Sequence, residues 1–198
     1  MYKNLIKPLL DFLLSLILLI ILSPIFLIIC LVSKISEPEG TVFFKQARAG
    51  VDNKPFTCYK FRSMKMSAPK NASTFELENP ESFITPFGKF LRKTSLDELP
   101  QLINILKGDM SFIGPRPVIL KEKDLLNLRK ENGASSVRPG ITGLAQISGR
   151  DNLPFDKKAA YDKEYAMNVS FVNDLKIILK TIPKVVKSEG VREGKQDF

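Results

Sequence analysis

The sequence predicts a small α/β domain that follows an N-terminal membrane segment. Three observations support this expectation: a long apolar run early in the chain, alternating short β-type runs and short helices in the middle, and a basic amphipathic segment near the end. We therefore expect a membrane anchor over residues 1–36 and a second domain over residues 37–198. A length of 198 residues suits one domain of ordinary size with such an appendage.

The apolar run covers residues 12–32 and is interrupted only by Ser15, Ser23 and Pro24. As a straight helix it would rise about 30 Å, which is enough to cross the hydrocarbon core of a bilayer. A cleaved signal peptide is a weaker interpretation, because its apolar core would be about half as long and would precede a cleavage site of small residues. No such site follows this run.

The membrane topology stays open between two arrangements. Ser23-Pro24 lies within the run, and the proline predicts a kink there. A kinked spanning helix would place Lys3 and Lys7 outside a cell whose cytoplasm holds the basic domain, which opposes the positive-inside rule. A re-entrant hairpin that bends at Ser23-Pro24 and returns to the same face removes this conflict, and Ser23 could bond a carbonyl freed by the proline.

Short β-type runs over residues 41–46 and 56–61, with Gly50-Val-Asp-Asn53 between them, predict a hairpin. Residues 66–83 are polar and without a strong period, which predicts a mobile loop that could act as a lid. Further predicted elements follow: a helix that opens at Thr85-Pro86, a helix over 99–106, a strand over 110–113, a charged helix over 118–131 and a glycine-containing binding loop over 138–150.

Residues 170–188 predict an amphipathic basic helix with a bend at Pro183. Its apolar residues recur at helical spacing, and lysines occupy much of the remaining surface. The helix could pack on the core of the domain or lie on an anionic membrane. The N-terminal anchor favours the membrane.

Composition excludes several kinds of chemistry. The formal net charge of +9 favours anionic partners such as phosphorylated ligands, nucleic acid or a membrane face. Because histidine is absent, Ser-His-Asp and Cys-His catalysis and histidine-ligated metals are excluded. Two cysteines cannot build a disulfide framework or a four-cysteine metal site. Without a Walker A sequence or G-x-G-x-x-G, the common nucleotide-binding folds are not expected.

The adjacent carboxylates of Asp97 and Glu98 allow two interpretations. Ser95-x-x-Glu98 matches a capping box, and Pro100 is tolerated only in the first turn of a helix, so a purely structural role at a helix start is possible. The same place suits catalysis, because a helix N-terminus stabilises a carboxylate as its anion and attracts phosphate. Without histidine, a carboxylate is among the few covalent nucleophiles left to this chain.

Basic side chains form a second group of candidates. Arg116 lies between two prolines, Arg150 closes the glycine-containing loop, Arg92 precedes the carboxylates, and Lys60 and Arg62 end a predicted strand. Guanidinium groups suit bidentate binding of phosphate oxygens, although any single one could be a solvated surface residue.

Four segments carry long motifs: YKFRSM over 59–64, TSLDELPQL over 94–102, KGDMSFIGPRP over 107–117 and VRPGITGLAQ over 137–146. On these motifs, and from the anchor to about residue 188, the chain resembles the bacterial sugar transferases of the small monotopic phosphoglycosyl transferase family. It is similar in particular to members of bacterial N-glycan pathways that handle a diacetamido-trideoxy sugar.

The resemblance implies an enzyme at the cytoplasmic face of the bacterial inner membrane. Such an enzyme transfers a phospho-sugar from a UDP-sugar to polyprenol phosphate and releases UMP. Its implied partners are these two substrates and membrane lipid, and they do not include nucleic acid. Asp97 corresponds to the family's nucleophile, which forms a covalent phosphosugar intermediate, and Glu98 to its partner, linked to Mg²⁺. Ser23-Pro24 corresponds to the motif that breaks a re-entrant helix, and the family fold is α/β with amphipathic helices at the interface. The residues implied in binding substrate phosphates are Lys60, Arg62, Arg92, Pro115, Arg116, Pro117, Gln146 and Arg150.

A rival hypothesis is a non-catalytic, membrane-anchored basic module that binds anionic lipid or nucleic acid. Its binding would depend steeply on salt and would not need Asp97 or Glu98. The nucleic-acid version is disfavoured, because interleaved aromatic residues are missing and tryptophan is absent.

Overall fold

The computed structural model of the chain describes residues 1–69, 79–149 and 152–186. It confirms a mixed fold of helices and strands. In the described residues the strands form two small two-stranded sheets, one antiparallel and one parallel. Helices supply most of the remaining regular structure.

The N-terminal apolar region is an interrupted helix. A π-helical turn, Tyr2–Ile6, leads into α1, Lys7–Ile21, and α2 follows over Ser23–Ser36. The interruption confirms the predicted break: Leu22 has φ −86° and ψ 0°, and the Ser23 hydroxyl donates to the Ile20 carbonyl at 2.8 Å. Within the described part of the chain, Tyr2–Ile21 is the one helix long and apolar enough to cross a bilayer.

The predicted hairpin is confirmed. Strand β1, Phe43–Ala49, pairs antiparallel with β2, Pro55–Phe61, in a register that sets Phe43 opposite Phe61 and Ala49 opposite Pro55. The connection turns through Asp52 and Asn53, whose φ angles are 52° and 59°. Asparagine and aspartate tolerate this left-handed conformation better than most residues, which explains why they occupy the turn.

Two short helices precede the candidate carboxylates. Helix α3, Pro80–Phe83, occupies the end of the segment predicted as a loop, and α4, Pro86–Lys93, begins where Thr85-Pro86 predicted. The Thr85 hydroxyl accepts from the Gly88 amide at 2.9 Å and so caps α4. The hypothesis of a lid depends on residues 70–78, which lie outside the described part of the chain.

Helix α5, Gln101–Leu106, precedes a parallel pair made by β3, Ser111–Ile113, and β4, Gly140–Thr142. Helix α6, Lys123–Glu131, lies between the strands in sequence, and begins later than the predicted residue 118. After β4 come α7, Leu144–Ser148, α8, Phe155–Met167, and α9, Phe171–Val186.

Residues 138–150 were predicted to form a glycine-containing binding loop, but most of the segment forms β4 and α7. Its role in binding stays a prediction. Its glycines permit close contact between two backbone segments. A Cβ on Gly140 would lie 2.1 Å from the amide nitrogen of Gly114, and one on Gly143 would lie 2.1 Å from the Gly114 carbonyl oxygen. The glycine content therefore reflects backbone packing at the parallel pair.

The apolar helices pack onto the rest of the chain. Leu18, Leu19 and Leu22 contact a buried cluster that contains Cys58 and Leu102. In a second cluster, residues of α2 contact Phe61 and Leu91. The core thus combines residues from both sides of the expected boundary at residue 36.

Polar contacts fasten the start of α1 to the other end of the chain. The Lys7 ammonium lies 2.8 Å from Asp174 Oδ2 on α9, and the Tyr2 hydroxyl donates to the same oxygen at 2.7 Å. Tyr165 donates to Asp174 Oδ1 at 2.9 Å, and the Phe112 amide donates to Asp11 at 3.3 Å. These contacts join α1, α8, α9 and β3.

Helix α9 is amphipathic as predicted, with Asp174 and Ile177 buried toward the domain. Its apolar residues on the other side remain exposed: Phe171, Val172, Leu175, Ile178, Leu179 and Ile182. An apolar surface of this kind on a basic helix is typical of an interface with membrane or with another protein.

Candidate active site

The two carboxylates lie in a strained turn. Leu96–Glu98 forms a single 3-10 turn, and the preceding Ser95 has a left-handed backbone with φ 57° and ψ 16°. The Ser95 side chain makes no capping hydrogen bond, so the capping-box interpretation was wrong. A non-glycine residue in this conformation costs about 1 kcal/mol or more, and such strain concentrates at functional sites.

Asp97 is buried, with 8% of its surface exposed. Burial raises the pKa of Asp97 above its ordinary value, and the charge of Glu98 raises the pKa further. Lys60, Arg92 and Arg116 act in the opposite direction without overcoming burial. The sequence suggested that a helix N-terminus would favour the anion of Asp97, but in this structure desolvation, which favours the neutral form, is the largest effect on its pKa.

Glu98 joins two cations at one oxygen. Its Oε1 accepts from Lys60 Nζ at 2.8 Å and from Arg116 Nη2 at 3.1 Å. The Glu98 side chain is 12% exposed, so these are charge-assisted bonds in a partly dry site. The structure thus brings Lys60, Asp97, Glu98 and Arg116 together, as the sequence predicted.

Asn104 explains how Lys60 reaches the carboxylates. This fully buried residue of α5 donates from Nδ2 to the Thr57 carbonyl at 2.7 Å and accepts from the Tyr59 amide at 3.0 Å. Both partners lie in β2, one on each side of residue 58. The side chain therefore fixes α5, and with it the turn that carries Glu98, against the strand that carries Lys60.

Arg116 is positioned through the backbone around it. The Pro115 carbonyl accepts from the Gly140 amide at 2.9 Å, the Arg116 carbonyl from Arg129 Nη1 at 2.9 Å, and the Pro117 carbonyl from Arg48 Nη1 at 3.3 Å. Pro115 and Pro117 are buried, and their carbonyls face other parts of the protein. The two prolines restrict the backbone on either side of Arg116, and their predicted part in phosphate binding stays a prediction.

Arg129 and Asp162 are functional candidates that the sequence did not single out as a pair. Arg129 Nε donates to Asp162 Oδ2 at 2.8 Å, and the two side chains are 7% and 1% exposed. The signal that could have identified Arg129 is its helical spacing from Leu125 and Leu126, which places an arginine on the buried face of α6.

A cavity of about 270 Å³ lies beside the carboxylates. Apolar side chains form most of its wall, and Leu18 and Leu22 of the N-terminal helix belong to it together with Leu99, Leu102, Phe112, Ile141 and Ile147. Its polar lining consists of Ser95, Glu98, Arg116, Thr142, Gln146, Thr181 and Lys184. The cavity therefore joins a charged end to an apolar wall supplied by the N-terminal helix.

The remaining predicted residues are distributed differently. Gln146 lines the cavity, and Arg92 acts electrostatically on Asp97. Arg62 donates to the Thr41 carbonyl at 2.8 Å and lies over the Phe44 ring, so its described contacts hold the edge of the hairpin. The prediction for Arg150 lies outside the described residues.

The carboxylate pair fits Mg²⁺ only together with a ligand. Among residues 1–69, 79–149 and 152–186, no group of three or more Cys, Asp or Glu could hold a metal ion. Mg²⁺ prefers oxygen ligands and is commonly bound by one or two carboxylates, water and substrate phosphates. Asp97 and Glu98 supply such carboxylates beside cations that suit phosphate.

Comparison with known proteins identifies the family. A family model described as bacterial sugar transferase matches residues 2–188, and the chain belongs to this family. One relative is the uncharacterized sugar transferase EpsL of Bacillus subtilis, 47% identical over 162 residues, which cover 81% of this chain and 76% of the relative.

Two further relatives carry names that state a reaction. The undecaprenyl-phosphate galactose phosphotransferase of Salmonella typhimurium is 38% identical over 200 residues, which cover 93% of this chain and 41% of the relative. The UDP-glucose:undecaprenyl-phosphate glucose-1-phosphate transferase of Escherichia coli is 40% identical over 189 residues, which cover 92% of this chain and 40% of the relative. The chain thus spans about two fifths of these two larger proteins.

Proposed function

We propose that this protein transfers a phospho-sugar from a UDP-sugar to polyprenol phosphate through a covalent intermediate on Asp97, with release of UMP. Membership of the sugar transferase family and the reactions named for two relatives support the reaction class. The observation that carries the mechanism is the buried Asp97 beside Glu98, in a site with Lys60 and Arg116, next to an apolar cavity. The relatives' names give galactose and glucose, so the proposal covers the reaction and leaves the sugar open.

In the first step, a carboxylate oxygen of Asp97 attacks the β-phosphorus of the UDP-sugar. A bond forms between that oxygen and phosphorus, the bond from phosphorus to the bridging oxygen breaks, and UMP leaves with the electron pair. Because a carboxylate and a pyrophosphate are both anions, the site must cancel their repulsion, and Lys60, Arg92 and Arg116 supply positive charge for this purpose.

In the second step, a phosphate oxygen of the polyprenol phosphate attacks the phosphorus held by Asp97. The bond from phosphorus to Asp97 breaks, which restores the carboxylate and gives polyprenol diphosphate-sugar. The acceptor phosphate is already an anion at neutral pH, so neither step requires histidine as a base. A covalent intermediate also allows a soluble donor and a lipid acceptor to use the same small site in turn.

Glu98 would hold Mg²⁺ together with the donor phosphates. When bound, the metal would supply positive charge to the phosphates. In its described contacts Glu98 already orients Lys60 and Arg116, so its role combines the positioning of cations with metal binding.

The structure supports an acceptor that arrives from a membrane. Leu18 and Leu22 of α1 line the cavity that also contains Glu98. The isoprenyl chain of the acceptor can therefore lie against α1 while its phosphate reaches the cations. The exposed apolar side of α9 fits a helix that lies in the interface of the same membrane.

We further infer that the N-terminal helix is re-entrant, on the cytoplasmic face of the inner membrane. Lys7 and Tyr2 at its start bond to Asp174, while α2 leads into β1 through residues 37–42. Both ends of the apolar region thus attach to one domain, which argues against a helix that spans the bilayer. The break at Leu22 and Ser23 provides the bend.

Labelling of cysteines in intact cells tests this topology. In a background with Cys30 and Cys58 replaced by serine, two variants each carry a single thiol. Lys3→Cys places it before the apolar region, and Lys54→Cys places it after that region, in the hairpin turn. We expect an impermeant maleimide to label neither until the inner membrane is permeabilised. Labelling of Lys3→Cys alone in intact cells would show a spanning helix.

The mechanism is tested by trapping the intermediate. The full-length protein is incubated with a UDP-sugar without acceptor, digested and analysed by mass spectrometry. We expect a phosphosugar on the peptide that contains Asp97, formed in proportion to the UMP released. A turnover that releases UMP only when the acceptor is present, with no adduct, would favour direct transfer and contradict the proposal.

A further inference from the structure

Gln146 lines the cavity beside the carboxylates, and its side-chain amide is buried without a hydrogen-bond partner among the described residues. Both its Nε2 and Oε1 are buried and have no hydrogen-bond partner in the described part of the chain. The residue lies in α7, and its Oε1 would come within 2.9 Å of a Cβ on Gly143, so the side chain folds back over the start of its helix. Glu98 and Arg116 line the same cavity.

A buried amide without partners is satisfied by a ligand that both donates and accepts hydrogen bonds. A primary amide carries two N–H donors and one carbonyl acceptor, and leaving them unpaired in a buried place is costly. Most buried polar side chains in proteins do have partners. The ligand group that completes Gln146 must therefore offer a donor and an acceptor side by side.

This requirement separates the parts of a sugar nucleotide. A phosphate at neutral pH offers acceptors, which leaves Oε1 unpaired. An acetamido group is a trans amide, whose N–H and carbonyl point in opposite directions and cannot both reach one primary amide. The imide edge of uracil carries N3–H between two carbonyls, so it matches the amide in either orientation of the side chain.

The surroundings favour the base over a sugar diol, which could also pair with an amide. A hexose brings further hydroxyls that each need a partner, whereas the cavity wall is mostly apolar. Among its polar groups, Thr142 and Thr181 already bond each other at 2.8 Å. The flat faces of uracil suit contact with Leu99, Phe112 and Ile147.

We propose that Gln146 recognises the uracil of the donor by pairing with its imide edge, and is a specificity-determining residue for a uridine nucleotide. This inference rests on the proposed function, since it takes the UDP-sugar as the donor. It assigns Gln146 to the base, where the sequence motif suggested a phosphate.

The test compares UMP with N3-methyl-UMP, in which the imide donor is blocked, as inhibitors of UMP-releasing turnover by the full-length protein in lipid nanodiscs. We expect N3-methyl-UMP to bind the unmodified protein at least about 10-fold more weakly than UMP. In Gln146→Leu, UMP should weaken about 10- to 100-fold, and the methyl group should no longer matter. Ser148→Ala, at an exposed position of the same helix and outside the cavity wall, should keep the preference for UMP.

Equal inhibition of the unmodified protein by both nucleotides would overturn the inference and leave Gln146 with a water molecule. An unchanged affinity of Gln146→Leu for UMP with a lowered kcat/KM for the UDP-sugar would also overturn it, because the amide would then contact the sugar. If Gln146→Leu does not fold, the comparison in the unmodified protein still decides. If UDP-sugars release no UMP at all, the proposed function fails rather than this assignment.

Discussion

Two buried aspartates of this protein have different surroundings. Asp162 on α8 has a guanidinium beside it, and Arg129 Nε and Nη2 both contact its Oδ2, at 2.8 and 2.7 Å. Asp97 lies next to a second carboxylate, and the cations near this pair are Lys60, Arg92 and Arg116. Burial is the largest cause that raises the pKa in both cases.

The difference separates a closed ion pair from a site that a ligand completes. The pair of Arg129 and Asp162 is almost fully removed from solvent, at 7% and 1% exposure. The carboxylate pair instead borders a cavity, with several charges of both signs crowded together. Such crowding is costly in the absence of a ligand, and it suits phosphates that enter with a metal ion.

The two regions are also connected. Arg129 bonds Asp162 with one part of its guanidinium and the Arg116 carbonyl with another, at 2.9 Å. Arg116 in turn donates to Glu98. The closed pair therefore supports the backbone from which a candidate phosphate ligand extends, and variants can separate support from chemistry.

The largest effect is expected for Asp97→Asn. Turnover should fall at least about 10³-fold, since the variant lacks the nucleophile. The melting temperature should hold or rise, because burial, which raises the pKa of Asp97, disfavours its charged form in the folded protein, and the variant removes that charge. UMP release and thermal unfolding measure the two quantities. Asp124→Asn, an exposed position on α6, serves as the control and should change neither, whereas an active Asp97→Asn would refute the nucleophile.

The next effect concerns the closed pair. Asp162→Asn should lower the free energy of unfolding by about 3–5 kcal/mol, because it leaves Arg129 buried without its partner charge. The double variant Arg129→Met/Asp162→Leu should recover most of that loss in urea denaturation. UMP release by the double variant should nevertheless remain below that of the unmodified protein, since the Arg116 carbonyl has lost its hydrogen-bond donor, Arg129. Recovery of activity together with stability would show that the pair does not position Arg116.

The smallest effect is a shift in pH dependence. The folded-state pKa of Asp97 is raised, so its contribution to stability increases as the pH falls through that pKa and is lost as the pH rises above it. Activity should show the opposite pH dependence, because the proposed mechanism uses the charged carboxylate of Asp97 as the nucleophile. Lys60→Met removes a charge that lowers the pKa, so the acidic limb of kcat/KM should move to higher pH. Lys54→Met, exposed in the hairpin turn, should leave the limb unmoved, and an unmoved limb in Lys60→Met would exclude this coupling.

Local patterns predicted much of the fold. The hairpin, the start of α4 at Thr85-Pro86, the break at Ser23-Pro24 and the amphipathic α9 all appear where expected. Each depends on signals within a few neighbouring residues, such as a proline or a repeating apolar spacing. The errors arose where the cause was distant: Gly140 and Gly143 are required by contact with Gly114, and Ser95 takes a left-handed backbone in place of a cap.

The sequence by itself determined the chemistry available to this protein. It supplies adjacent carboxylates, several cations of the kind that suits phosphate, no histidine and an apolar run interrupted by a proline. These are properties of composition and short motifs, and they led to the family.

Only the tertiary structure decided how these groups act. It brought Lys60 to Glu98 across 38 positions of sequence and Arg129 to Asp162 across 33. It also buried Asp97 deeply enough to raise its pKa, against the expectation from the helix start. The physical reason is that desolvation and ion pairing depend on what packs around a group in space, which no local periodicity records.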